Sequence, residues 1–204
     1  VDEISTEDLV KLYPYLKKHE LVHIDVVDDG QKLSKFKDST QQFVIANHFL
    51  EHVIDPIKTL RNFYRVFKLG VIIDKRFTFD KLRPITPIER LKDFHKSSKV
   101  AEAGKWPMYL ESAKLVEGKQ GKEIEIRAQE LFDQKFSIHL NVWSQHDLIE
   151  LLLYIIRTYK LDLDFEAVVK NQHETLFILQ KTPKSTVKEN ASVSKVRKAH
   201  NIKK

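Results

Sequence analysis

Cysteine is absent from the 204 residues, so disulfides, thiolate metal sites and a cysteine nucleophile are excluded. No run approaches the ~18 consecutive apolar residues that a membrane span needs, and nothing resembles a signal peptide. Glycine occurs only five times and never as G-x-G, so no loop of that spacing is present to let the backbone approach a ligand closely. The one methionine is internal and the chain begins at Val1, which suggests a piece of a longer reading frame or a processed product. What is there is ordinary for a folded protein: 42% hydrophobic residues over a length that suits one domain and can bury a sizeable core. A soluble, cytoplasmic protein is the expectation.

The formal net charge is +6, but it is not on the body of the chain. Residues 182–204 carry seven Lys and Arg against the single acid Glu189, and the remainder holds 28 bases and 28 acids. That tail has too few apolar residues to offset the entropy of ordering, so it reads as a disordered, solvated terminus. RNA, DNA or an anionic surface is expected as a partner only through this tail, for which a plain solvated terminus is the simpler reading.

Along the body, Ser5 and Asp8 have capping-box spacing ahead of Leu9, Leu12 and Leu16, which predicts a short helix bent near Pro14. Leu21 to Val27 is dense in β-branched residues and stops at Asp28-Asp29-Gly30, so it predicts a strand closed by a turn. A short polar helix is expected at 31–36 and a doubly covered strand at Gln42 to Asn47. Asp55-Pro56 marks a helix start, followed by one apolar stripe of Ile57, Leu60, Tyr64 and Phe67, and another strand is expected from Gly70 to Asp74. Alternating strands and amphipathic helices predict an α/β fold, a mostly parallel sheet with flanking helices. From Arg83 to about Gln134 no strand signal appears, which predicts a helical insertion over about 83–134. Phe136 to Trp143 predicts a strand, Ser144 with Asp147 caps a helix through Tyr159, and the two last apolar runs predict an antiparallel hairpin. The domain then spans 1–181 and the tail 182–204.

His48, Glu51 and His52 spell H-x-x-E-H, which on a continuous helix would put two imidazoles on one zinc ion with a glutamate beside its water. The setting contradicts that zinc-hydrolase reading. A strand is expected up to Asn47, and Pro56 four residues beyond His52 would break any helix carrying the motif. No metal site is expected.

The stretch read whole points elsewhere. A strand, H-x-x-E-H, D-P and a helix ending R-V-F-K-x-G, with Leu50, Glu51, His52, Val53, Asp55, Pro56, Leu60, Arg65, Val66, Lys68 and Gly70 as matching residues, resembles class I S-adenosylmethionine-dependent methyltransferases. DKRFTFDKLRPITP, from Asp74, and the later H-x-x-V-W-S at His139 to Ser144 resemble one bacterial subgroup of that family. The resemblance covers roughly Asp2 to Lys181 and implies a Rossmann-like sheet with the helical insertion after the fifth family strand. It implies methyl transfer from S-adenosylmethionine to an acceptor it does not identify.

Carried over by position, the resemblance gives Asp2 to the ribose hydroxyls, Asp28 to the adenine amine with Asp29 as neighbour or substitute, and Asn47 and His48 to the methionine part of the donor. Each also has a structural alternative: Asp28 as turn former, Asn47 as loop cap, His48 as packing residue. For a general base the candidates are His52, Glu51 and Asp74, with Lys75, Arg76 and Arg83 available to hold an anionic acceptor. An Arg76–Asp80 salt bridge is an equal alternative for those two residues. Trp106, Tyr109 and Trp143 could wall an acceptor pocket or belong to the core. The sequence departs from the family in two places. The first family strand and its glycine-rich loop are missing, and the fifth strand is short. These departures imply either a truncated or decayed enzyme, or a sheet completed by an upstream segment or a partner chain. The alternative function is a non-catalytic interaction module on the same scaffold.

Overall fold

The computed structural model describes residues 2–66, 72–73, 79–171 and 174–182. Thr6–Leu12 forms α1, with Ser5 Oγ accepting from the Asp8 amide at 3.1 Å, and a 3₁₀ helix follows from Pro14. Helix α2, Pro56–Val66, starts where the D-P pair predicts. Asp55 accepts from the Lys58 amide at 2.9 Å, and Pro56 needs no partner for the N–H it lacks. Ile72–Ile73 is β1. Three helices then fall between Arg83 and Gln134: α3 (Ile88–Lys96), α4 (Ser98–Glu111) and α5 (Glu123–Asp133). Helix α6, Gln145–Tyr159, has the expected Ser144/Asp147 capping box, and β2 (Leu163–Asn171) and β3 (Glu174–Lys181) form the expected antiparallel hairpin.

The main core lies between α6 and this hairpin. Leu148, Leu151, Leu152 and Ile155 repeat at helical spacing and meet Phe177 and Leu179, which alternate along β3; Leu50, Val53, Ile57 and Leu91 close the cluster. Each such side chain contributes about 1.5–3 kcal/mol on full burial. A second cluster joins α4 and α5 through Met108, Tyr109, Ala128 and Leu131. Helices α3 and α4 cross so closely that a Cβ at position 104 would stand 2.3 Å from the Phe94 ring, so Gly104 is a packing requirement. Among the described residues no helix is long and apolar enough to cross a membrane.

The sheet differs from the expected one. Among the described residues it has three strands in the order β1-β3-β2, all antiparallel, and parallel pairing is limited to a single bridge between Asp2 and Val27. The segments 21–27 and 42–47 keep the alternating exposure of a half-covered strand but are not strands. A strand is defined by its ladder, and among the described residues no backbone hydrogen bond involves 42–47. The segment 136–143 is likewise irregular, because its partners are turns. Leu140 and Asn141 donate to the Glu51 carbonyl, and Val142 exchanges bonds with Thr86. The helix expected at 31–36 is a set of turns held by Asp28 and Asp29, with Leu33 at φ 48°. Phe67, Lys68, Gly70, Asp74, Lys75, Arg76 and nearly all of the basic tail lie outside the described residues.

Candidate functional site

The H-x-x-E-H letters form no helix that could carry a metal. Leu50–His52 is one 3₁₀ turn ahead of α2, and His48 precedes it in the left-handed region at φ 48°. His48 Nε2 donates to Glu174 Oε1 at 2.9 Å, while His52 Nδ1 donates to the Ile138 carbonyl at 3.1 Å and lies 3.0 Å from Ser137 Oγ. The two imidazoles thus have different partners. Among the described residues no group of three or more His, Asp or Glu could hold a metal ion.

What the turn does build is a buried polar centre. Glu51 is 5% exposed, its backbone carbonyl ties down the 136–143 segment, and neither carboxylate oxygen has a hydrogen-bond partner. Burial pushes this carboxyl above the ordinary glutamate range. The His52 ring stands edge-on to His139, with centroids 4.7 Å apart. His139 Nδ1 donates to Asp80 Oδ2 at 2.5 Å, and Arg83, 2% exposed, donates to Asp80 at 2.9 Å, to Glu111 at 2.7 Å and to the His139 carbonyl at 2.8 Å. Burial pushes the Asp80 carboxyl up, but the hydrogen bonds from His139 and Arg83 outweigh it and hold it below the usual range. Burial, reinforced by the charge of His139, pushes His52 down, so its neutral form is favoured.

A backbone carbonyl only accepts, so His52 carries its hydrogen on Nδ1 and, in the neutral form that burial favours, keeps a lone pair on Nε2, while His139 donates from Nδ1 to Asp80. The centre can therefore accept a proton at His52, with Glu51 as a buried acid next to it in the same turn. Of the predicted base candidates, His52 and Glu51 are brought together here and Asp74 lies outside the described residues. The His139–Asp80 pair was not anticipated, although both residues stand in the signature stretches, at the end of D-K-R-F-T-F-D and the start of H-x-x-V-W. Arg83 is fully engaged with Asp80, Glu111 and His139 rather than facing a ligand. Tyr109 and Trp143 are buried in the two cores, and Trp106 packs at the edge of the second.

The donor-side residues converge less well. The Asp2 carbonyl accepts from the Asp28 amide, which gathers Asp2, Asp28 and Asp29 at one end of the parallel bridge. Asp28 accepts from the Asp29 amide, Ser34 Oγ and the Lys35 amide, and those bonds, that from Lys35 foremost, hold its carboxyl below the ordinary range. Asp29 accepts from the Gln31 amide and pairs with Lys32. Beside them lies a largely apolar cavity of about 390 Å³, which Asn47 lines and the three aspartates and His48 do not. Between the turn and the Asn47 loop the Phe49 ring rests on Gly30, where a Cβ would meet it at 2.9 Å. A carboxylate that grips a ribose or an adenine amine needs oxygens free and facing a cleft, and here Asp28 and Asp29 have theirs bound within their own turn. As arranged, these residues do not fit S-adenosylmethionine.

Residues 7–73 match a family model described as a methyltransferase domain. No curated protein and no solved structure matches the chain. The matched segment runs from α1 to β1 and takes in the 28–30 turn, Asn47, the H-x-x-E-H turn and the D-P start of α2, while Asp2, Asp80 and His139 lie outside it. A methyltransferase domain implies a Rossmann-like fold, of which the described residues show the helices and the C-terminal hairpin. Motif, helix start and family model agree over 7–73, about a third of the chain, and over that segment the chain is similar to methyltransferase domains.

Proposed function

We propose that this protein is a methyltransferase with S-adenosylmethionine as its methyl donor and the Glu51, His52 and His139 centre on its acceptor side. The observation that carries the reading is the family-model match over 7–73, which contains the turn that supplies Glu51 and His52. The chain's own contribution is proton handling: His52 holds a lone pair on a fixed nitrogen, and Asp80 with Arg83 orients His139 beside it. The acceptor is not named by this reading.

Donor binding on this reading requires the 28–30 turn to open. That opening breaks three hydrogen bonds to Asp28, at about 1 kcal/mol each, which lowers affinity by about a hundredfold against a preformed site. Calorimetric titration with S-adenosylmethionine and its demethylated product tests it. Saturable binding, with amide shifts concentrated at 28–35, is the expected result; no heat at millimolar ligand would count against the enzyme. The second reading, a non-catalytic module or one completed by a partner chain, is favoured by one specific feature. Among the described residues the 42–47 backbone makes no hydrogen bond while Phe43 and Ile45 stand more than half exposed, so an added strand has groups to pair with.

A further inference from the structure

His52 faces a second cavity, of about 460 Å³, between the 136–140 segment and the insertion helices α4 and α5. One wall carries the His52 ring and the Ser137 hydroxyl. The opposite wall carries Tyr109 and Phe132, edge to face with centroids 5.3 Å apart. The Tyr109 hydroxyl is already bonded to the Phe136 carbonyl at 2.9 Å, so this wall offers ring surface rather than a free hydroxyl. At the rim Lys105 is paired with Glu102 at 2.8 Å, whereas Lys135 has no ion pair among the described residues. Behind His52 stands Glu51, 5% exposed with both oxygens unpartnered. An aromatic wall, an imidazole with its Nδ1 hydrogen fixed and a cation without an ion pair among the described residues define a ligand chemistry.

Resting on the methyltransferase reading, we propose that this cavity is the acceptor site and takes a hydroxyaryl compound bearing an anionic group. Its ring packs against the Tyr109 and Phe132 pair, its anion pairs with Lys135, and its hydroxyl proton passes to His52. The step balances: the O–H bond breaks, its electron pair stays on oxygen as phenolate, and an N–H bond forms at Nε2 to give imidazolium. Asp80 favours that imidazolium while His139 and His48 oppose it. Around the ligand the charged groups are Glu3, Glu102, Lys105 and Lys135.

The test needs no methyl donor, so its failure is separable from failure of donor binding. The probe is 4-hydroxy-3-nitrobenzoate, titrated at a pH where the free hydroxyl is mostly protonated, with the phenolate absorbance as readout. The wild-type chain is expected to give a saturable rise in phenolate, and nitrogen NMR of the same sample is expected to show His52 becoming imidazolium. His52→Gln should still bind the probe without the rise, and Lys135→Gln should bind it about tenfold more weakly. Absence of saturable binding, a bound probe that stays neutral, or an unchanged phenolate fraction in His52→Gln overturns the proposal. The NMR readout on the wild-type chain decides it even if the variants fail to fold.

Discussion

Glu51 is the residue whose environment is most out of line with its chemistry. A carboxyl buried without a hydrogen-bond partner is favoured in its neutral form, so its folded-state pKa lies above its unfolded one. The folded state therefore holds a proton that the unfolded state has released, and the stability this gives is present below the unfolded pKa and lost as pH rises through the folded pKa. Glu51→Gln keeps the shape and cannot ionise. It should unfold at higher denaturant than the wild type at neutral pH, with the gap closing toward pH 4, in paired denaturation curves. Arg83 makes the opposite case, because its partners stay charged when it is removed. Arg83→Met leaves Asp80 buried beside His139 with one cation lost, and should cost about 3–5 kcal/mol in the same measurement. His52 and Glu51 were legible in the sequence as candidates because they belong to a motif. The His139–Asp80 pair was not, since 59 residues separate the partners and nothing in local spacing announces a contact made by folding.

At the scale of elements, capping and hairpin signals match the structure, whereas the helix expected at 31–36 gives way to turns because Asp28 and Asp29 take up the Gln31 and Lys35 amides. Asp55-Pro56 and Ser144/Asp147 start helices because each satisfies orphan amides within one turn, and the hairpin forms because β2 and β3 are neighbours in the chain. The strands expected at 21–27, 42–47 and 136–143 failed for the complementary reason. Their composition and alternation are those of strands, but a ladder requires a second segment, and the sequence of one segment does not say where its partner is. Close packing is the other non-local feature, and Gly104 tests it. Alanine there gains about 1 kcal/mol of helix propensity, yet its Cβ would meet Phe94 at 2.3 Å, and overpacking of that kind costs about 1–3 kcal/mol. Gly104→Ala is therefore expected to be net destabilising in chemical denaturation, where an exposed helical glycine would give the reverse.

For the whole molecule, the two halves of the reading stand on different ground. The proposed acceptor side has a fixed Nδ1 hydrogen on His52, a buried acid and a cavity against His52. The donor side is gathered but closed, because Asp28 and Asp29 satisfy their own turn and Phe49 rests on Gly30. Sequence resemblance assigns Asp2, Asp28, Asp29, Asn47 and His48 to a donor side only as an expectation. It could not indicate that their oxygens are already bonded, because Ser34, Gln31 and Lys35 compete for them only once the turn has folded. If the family assignment carries function, ligand must open that turn, and the energy of doing so appears as reduced affinity rather than as absence of binding. The deciding measurement is calorimetric titration of the chain with the demethylated donor, S-adenosylhomocysteine. The account predicts saturable binding that strengthens when Ser34→Ala removes one bond holding Asp28 closed. A flat titration at millimolar ligand for both proteins would contradict it and leave the non-catalytic module.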